Sequence, residues 1–143
     1  MVNEVIADPL AVANELRPVL LRLARELRKE TEQLGITSRQ VTLLWLVRVN
    51  PGMSLRELAA EERISAPALS GHVDRLEKAG LLQRVRDEDD RRRVGLTLTD
   101  EGERLLRRVR ARRTTWLADR LRGLDDEELA ALERAIEPLE KLL

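Results

Sequence analysis

Residues 54–99 read SLRELAAEERISAPALSGHVDRLEKAGLLQRVRDEDDRRRVGLTLT, and they contain the strongest indications of the fold. Ser54 and Glu57 have the spacing of a capping box, which predicts the start of a short helix. Ser65 is the next candidate N-cap, and it should open a second helix over residues 66–79. The stretch therefore begins with two helices joined by a tight turn. The second helix is expected to bury four apolar side chains: Ala66, Leu69, Val73 and Leu76.

Two short strands follow these helices, and we expect them over residues 82–86 and 93–98. The second strand alternates larger apolar residues with small ones, as a strand buried on one face does: Val94, Gly95, Leu96, Thr97 and Leu98. The connection between the strands, residues 87–92, is wholly charged and must face solvent or a charged partner. This order predicts a mainly α protein with a short β-hairpin, arranged as a winged helix-turn-helix.

Amphipathic helices flank this unit on both sides. Apolar residues recur between Leu10 and Leu34, which predicts a long N-terminal helix that Pro18 should bend or divide. Further helical patterns begin near Thr99 and Asp125. A domain of this size cannot easily bury the stripes of its first and last helices alone, so we expect two copies to pair through them. Packing of the stripes within one chain is the alternative.

The formal net charge is zero, but the charges are segregated along the chain. Residues 84–113 contain 11 basic and 7 acidic side chains, whereas residues 114–143 contain 4 basic and 8 acidic ones. A basic stretch around the hairpin favours contact with phosphates. An ordinary solvated surface would give the same pattern, so the motifs must decide between the two.

The residue types present argue against catalysis and against a bound cofactor or metal. The chain has no cysteine and one histidine, His72, which leaves too few ligands for a zinc site and no thiol chemistry. It has no glycine-rich phosphate loop, and no apolar run approaches the ~20 residues of a membrane span. Residues 1–9 lack the basic-then-apolar pattern of a secretory signal. We therefore expect a cytoplasmic protein that is not an enzyme.

The second helix of a helix-turn-helix lies in the major groove, with its first residues at the base edges. Here its outward residues are mostly small, which lets the helix approach DNA closely; they are Pro67, Ala68, Ser70, Gly71, His72 and Arg75. Arg75 is the one long donor among them. The free N–H groups at the two helix starts, near Ser54 and Ser65, are candidate phosphate sites. The alternative is that these small residues are merely exposed to solvent.

The charged hairpin tip is the second candidate DNA contact. We expect Asp90 to pair with Arg92 and to direct its guanidinium into the minor groove, since narrow grooves favour arginine. Four more arginines should lie near phosphates: Arg84, Arg86, Arg91 and Arg93. The alternative is a flexible hairpin whose surface ion pairs carry little energetic weight.

Residues 37–102 closely resemble the multiple-antibiotic-resistance regulator (MarR) family. The resemblance rests on five motifs in order: TSRQ (37–40), SLRELA (54–59), VDRLEKAGL (73–81), DEDDRR (87–92) and LTDEG (98–102). It implies a homodimer that binds pseudo-palindromic double-stranded DNA operators and usually represses transcription. It also implies that a small aromatic or phenolic effector releases the DNA. Gly71 is a departure, because members often carry arginine or lysine early in the recognition helix.

The resemblance further implies an effector pocket between the dimer helices and the DNA-binding lobe. Candidate lining residues are Arg17, Thr42, Trp45, Met53 and Trp116, with core or interface packing as the alternative for both tryptophans. We therefore predict a DNA-binding repressor in three parts: an N-terminal dimerisation region (1–35), a winged helix-turn-helix DNA-binding lobe (36–98) and C-terminal dimerisation helices (99–143). A winged-helix module that binds protein and no DNA is the alternative.

Overall fold

A computed structural model describes residues 6–143. The first five residues, which belong to the predicted N-terminal dimerisation region, lie outside the described part. The elements are α1 (Pro9–Glu32), α2 (Ser38–Val49), α3 (Leu55–Glu62), α4 (Ala66–Lys78), β1 (Leu82–Arg86), β2 (Val94–Leu98), α5 (Asp100–Leu121) and α6 (Asp126–Glu140). This order confirms a mainly helical fold with one two-stranded antiparallel hairpin. Among these residues, no helix is long and apolar enough to cross a membrane.

Side chains at the helix starts fix where the helices begin. The hydroxyl of Thr37 accepts a hydrogen bond from the backbone N–H of Gln40 at 3.2 Å, and that of Ser54 accepts from Glu57 at 3.1 Å. Asp125 caps α6 in the same reciprocal way. Each cap satisfies N–H groups that have no partner within the helix, so the helix starts at the next residue.

The first helix lies along the fifth. α1 continues unbroken through Pro18, so the prediction that this proline starts a second segment is wrong. A proline removes one backbone hydrogen bond, and the turns on either side keep theirs. Near the end of α1, Glu30 pairs with Arg112 at 3.1 Å, and Arg113 donates to the hydroxyl of the buried Thr31 at 2.8 Å. These contacts join α1 to α5.

The core lies between the helix-turn-helix, α2, the hairpin and the first half of α5. Its fully buried large side chains are Leu43, Leu44, Val47, Leu58, Leu69, Val73, Leu76, Leu82 and Leu96. Three of the four residues expected inside α4 are there, but Ala66 is exposed. Ala66 is the first residue of the helix, and its position lies on the solvent side of the turn from α3.

The hairpin contains a third, very short partner that the alternation rule did not predict. β1 pairs with β2 in antiparallel register from Leu82 opposite Leu98 to Arg86 opposite Val94. Residues 52–54 lie along the other edge of β2, and the N–H of Leu96 donates to the carbonyl of Met53 at 3.0 Å.

Gly95 is consequently buried, and the expected one-sided alternation of β2 is wrong. A Cβ at Gly95 would lie 2.7 Å from the carbonyl oxygen of Gly52, closer than any real Cβ contact. This close approach of two backbones explains why only glycine fits here.

The outer helices leave apolar residues uncovered. In α1, six large apolar side chains are exposed: Leu10, Val12, Val19, Leu20, Leu21 and Leu23. α6 buries none of its residues, and no other element of the described chain packs extensively against it. Leu129, Leu132 and Ile136 of α6 are all exposed. The two ends of the chain therefore carry apolar surface that a single copy does not bury.

Candidate nucleic-acid interface

A tight turn joins α3 to α4 and sets the direction of α4. Arg63 adopts left-handed backbone angles (φ 53°), and the N–H of Ile64 donates to the carbonyl of Ala59 at 3.2 Å. The hydroxyl of Ser65 then caps α4 by accepting from Ala68. Leu69, Val73 and Leu76 anchor one face of α4 in the core, so the opposite face of the helix is presented to solvent.

The six outward residues predicted for α4 lie on this accessible face to different degrees. Pro67, Ala68 and Arg75 are exposed, whereas Ser70, Gly71 and His72 are half-buried. The exposed residues near the helix start are small, so the backbone of α4 can approach another surface closely. The face is therefore shaped for close contact, with Arg75 as its long hydrogen-bond donor.

The two capped helix starts differ in charge. At α3 the capping box brings the carboxylate of Glu57 to the N–H of Ser54, at 3.4 Å. At α4 the first turn contains no acidic residue, so the free N–H groups near Ser65 face no competing negative charge. The partial positive charge of a helix N-terminus favours a phosphate. On these grounds Ser65 is the stronger of the two candidate phosphate sites.

The side chain of Arg75 lies back along the helix. Its Nη2 is 3.2 Å from Nδ1 of His72, and a Cβ on Gly71 would lie 4.0 Å from the same Nη2. Burial lowers the pKa of His72 below its usual value, and the nearby guanidinium groups of Arg75 and Arg39 add to the effect. A neutral imidazole can accept a hydrogen bond at Nδ1, so the contact is a hydrogen bond from Arg75 to His72.

Arg84 is engaged within the protein, although the sequence suggested that it lies near phosphates. Its guanidinium donates to Asp74 at 2.7 Å and to Glu77 at 2.6 Å, both on α4. The hydrogen bond to Asp74 is the main reason that the pKa of Arg84 is raised above its usual value. Arg84 therefore links β1 to α4.

Arg93 makes the corresponding link on the other side of the hairpin. Its Nη2 lies 2.9 Å from the carboxylate of Glu57 in the first turn of α3. This pair also neutralises the carboxylate that occupies the start of α3. Two arginines expected at phosphates thus hold the hairpin against the two helices of the helix-turn-helix.

The hairpin tip is an ordered turn whose acidic residues bind backbone. The N–H of Arg93 donates to the carbonyl of Asp90 at 2.9 Å, and the N–H of Arg92 donates to the Asp90 carboxylate at 3.1 Å. The expected side-chain pair of Asp90 and Arg92 is present at 3.9 Å, and the Arg92 side chain is 97% exposed. Arg91 and Arg86 are exposed as well. The turn therefore projects two neighbouring arginines, Arg91 and Arg92, into solvent.

A cavity of about 260 Å³ lies between α2 and α5. Its lining residues are Val41, Trp45, Arg48, Glu103, Leu106, Arg107, Val109, Arg110, Arg113 and Thr114. Of the five pocket residues expected from the sequence, Trp45 alone is among them. In the single chain the five residues do not line one common cavity, and their part in binding an effector stays a prediction.

The other four expected pocket residues lie elsewhere. Trp116 lines a separate surface hollow and stacks under Arg120, and Met53 packs against the core. Thr42 is exposed and donates to the carbonyl of Ser38 of its own helix, and Arg17 lies on the exposed part of α1.

The sequence analysis missed the α5 residues that line the cavity, although a signal for them was present. Glu103, Arg107, Arg110 and Thr114 are three or four positions apart, which places them on one helix face. That face meets α2 through an ion pair between Arg48 and Glu103 at 3.0 Å.

Comparisons with known proteins agree with this geometry. A family model described as the MarR family matches residues 36–94. The chain is 31% identical over 138 residues to YsmB of Bacillus subtilis, an uncharacterized HTH-type transcriptional regulator, and the match covers 96% of this chain and 92% of that protein.

Solved structures of regulators have the same fold. The transcriptional regulator Tm0710 from Thermotoga maritima superposes with a TM-score of 0.79 at 26% identity, covering 93% of this chain and 94% of that one. A mutant of MepR from S. aureus bound to an oligodeoxyribonucleotide gives a TM-score of 0.73 at 22% identity, covering 92% and 97%.

Proposed function

This chain belongs to the MarR family and is a DNA-binding transcriptional regulator, and on that premise we propose that it acts in the cytoplasm as a homodimeric repressor. The similar proteins are named as regulators and repressors, not as enzymes. The observation that carries the proposal is the contrast between a lobe with a closed core and terminal helices with uncovered apolar faces. A second copy of the chain is the simplest cover for those faces.

Residues 1–35 and 99–143 would form the dimer, and residues 36–98 would bind DNA. Pairing of α1 and α6 with their counterparts buries residues such as Leu20, Leu132 and Ile136, all exposed in one chain. A two-fold axis then relates two copies of α4, which bind successive major grooves if they lie ~34 Å apart. This arrangement explains why the operator should be pseudo-palindromic.

Within each lobe, α4 would lie in the major groove and the hairpin tip in the adjacent minor groove. Pro67, Ala68 and Ser70 approach the bases and the backbone closely, and the N–H groups near Ser65 bind a phosphate. Arg91 and Arg92 are exposed and can reach the minor groove, and the pair with Asp90 at 3.9 Å would direct the Arg92 guanidinium there. Arg86 and the α3 start near Ser54 are secondary phosphate contacts.

A salt titration of duplex binding tests the DNA proposal. The probe is a duplex selected from random sequence by the purified protein. Each phosphate contact lowers the binding constant by about 0.9 log units per decade of salt, so the dependence should be steep. Arg122→Ala is the control, since that exposed arginine lies at the far end of α5; its salt dependence should equal that of the wild type. Absence of duplex binding at low salt would favour the protein-interaction module.

We further propose that an aromatic effector carrying a carboxylate or phenolate binds in the α2–α5 cavity and releases the DNA. Arg107, Arg110 and Arg113 line it and form no ion pair with any carboxylate of residues 6–143. Burial, with a further effect from Arg28, lowers the pKa of Arg113, so an anion bound there would offset an unfavourable charge. The half-exposed ring of Trp45 offers a surface for stacking.

Calorimetric titration with substituted benzoates and phenols tests the effector proposal. Binding should weaken in Arg110→Gln and persist in Arg108→Gln, a neighbour on the same helix that does not line the cavity. Bound compounds should also lower the affinity for the selected duplex. Compounds that bind equally well to Arg110→Gln would place the effector outside this cavity.

A further inference from the structure

Three residues on the exposed side of α4 form one cluster: Gly71, His72 and Arg75. Side chains on a helix point toward its N-terminus, so Arg75 extends back over the preceding turn. Gly71 has no side chain to block that path, and Nη2 of Arg75 lies 4.0 Å from where a Cβ of residue 71 would be. The guanidinium thus lies nearer the start of the recognition helix than its position in the sequence suggests.

We propose that His72 is a positioning residue that holds the Arg75 guanidinium above Gly71, where it reads a guanine in the major groove. This inference rests on the proposed function, because it assumes that α4 enters that groove. Guanine presents two acceptors, N7 and O6, which match the fork of an arginine. A guanidinium that is already held in place loses less freedom on binding.

The charges around Arg75 support this assignment. In sequence, Arg75 stands between Asp74 and Glu77, but residues one or two positions apart on a helix do not face each other. Both carboxylates are bound instead by Arg84, at 2.7 Å and 2.6 Å. Arg75 forms no ion pair with any carboxylate of residues 6–143. The neutral imidazole of His72 is therefore the side-chain partner of Arg75, which keeps further donors for a base.

The hydrogen bond from Arg75 requires an unprotonated Nδ1 on His72, so the ring carries its proton on Nε2. The charged groups facing His72 are Arg75 on α4 and Arg39 on α2, and Arg39 is itself 3.9 Å from Glu62 of α3. Protonation would remove the acceptor and place two positive charges 3.2 Å apart. Arg75 would then leave its position above Gly71.

Competition binding with base analogues tests the proposal. The wild-type protein first selects its site from random duplex, and each guanine in turn is replaced by 7-deazaguanine, which lacks the N7 acceptor. One replacement should weaken wild-type binding about 5-fold, because it removes one of the two acceptors of a bidentate contact and leaves O6 in place. Arg75→Ala should bind the two duplexes equally. His72→Leu, which cannot accept a hydrogen bond, should show a smaller preference than the wild type.

His72→Asn is the matched control, since its amide oxygen can accept near the position of Nδ1 and should retain most of the preference. Circular dichroism checks that each variant is folded. The wild-type preference should also fall as the solution is acidified, at a lower pH than for an ordinary histidine because burial lowers the pKa of His72, and His72→Asn should show no such fall.

Selective binding that is unchanged in His72→Leu would overturn this inference alone, because the protein would still bind DNA as proposed. A preference for guanine that survives Arg75→Ala would overturn it as well. Failure of the wild type to bind any duplex would overturn the proposed function and this inference with it.

Discussion

The central lobe and the terminal helices of this chain differ in how far their apolar residues are buried. In the lobe, Leu43, Leu58, Leu69 and Leu96 are completely buried within one chain. In α6, Ile136 is 56% exposed, and no residue of that helix is buried. The sequence patterns of α4 and α6 are similarly amphipathic, yet α4 buries its apolar face within the chain and α6 does not.

The difference separates two kinds of stability within one molecule. The lobe should be stable in a single chain, because its core is complete. The terminal helices should depend on association, since their apolar faces gain burial only from a second copy. Under the proposed function, DNA recognition needs both regions: the lobe would supply the contacting surface, and the terminal helices would set the distance between two such surfaces.

Double substitution of Leu132→Asp and Ile136→Asp should have the largest effect on DNA binding. Two charges on the apolar face of α6 oppose pairing, so light scattering should report a monomer. Affinity for the selected duplex should fall about 100-fold or more, because the second lobe no longer binds at a high effective concentration. Glu133→Ala, on the same helix, is the control. A dimer that survives the double substitution would show that the apolar face of α6 does not hold two copies together.

Leu69→Ala should destabilise the lobe by about 2–5 kcal/mol, the usual cost of truncating a buried leucine. Chemical denaturation measures this loss through the hairpin and helix signals. The loss should be the same at low and high protein concentration, whereas a loss caused by Leu132→Ala should grow on dilution. If the loss of stability depended on protein concentration equally in the two variants, the lobe and the terminal helices would not differ in their dependence on association.

Arg92→Ala should weaken duplex binding by about 1–3 kcal/mol and leave the dimer intact. Its guanidinium is almost fully exposed, so the free energy of unfolding should hardly change. A fluorescence anisotropy titration at several salt concentrations should also show a shallower slope. Unchanged affinity would remove the hairpin tip from the DNA contacts.

Arg84→Ala should have the smallest effect, a loss of about 1 kcal/mol in stability, because its ion pairs lie at a partly exposed site. The more informative result is on binding. Loss of Arg84 removes the link that holds α4 against β1, so Arg75 should be held less firmly at the bases and the preference for guanine should fall. If Arg84→Ala kept the wild-type preference for guanine, the link from β1 to α4 would serve stability only.

Local rules were sufficient to predict most of the secondary structure. The caps at Thr37, Ser54 and Asp125 follow from hydrogen bonds between residues three positions apart, and the two strands of the hairpin lie close together in the sequence. Contacts of this kind can be predicted from a few neighbouring residues. The recognition helix and the hairpin were therefore predictable.

Contacts between distant residues were not predictable in the same way. Gly95 is buried by Gly52, and Arg93 pairs with Glu57, which lies 36 residues away. Similarly, the cavity is formed by α2 and α5, and its residues meet only after the lobe has folded. A pattern in one element shows which of its faces is basic or apolar, but it does not show what that face meets.

Native mass spectrometry of the wild-type protein on its selected duplex counts the chains in the complex. Two chains should bind one duplex, and the protein should be a dimer before DNA is added. A single folded chain on the duplex, with full affinity and no dimer in the free protein, would contradict the proposed homodimer.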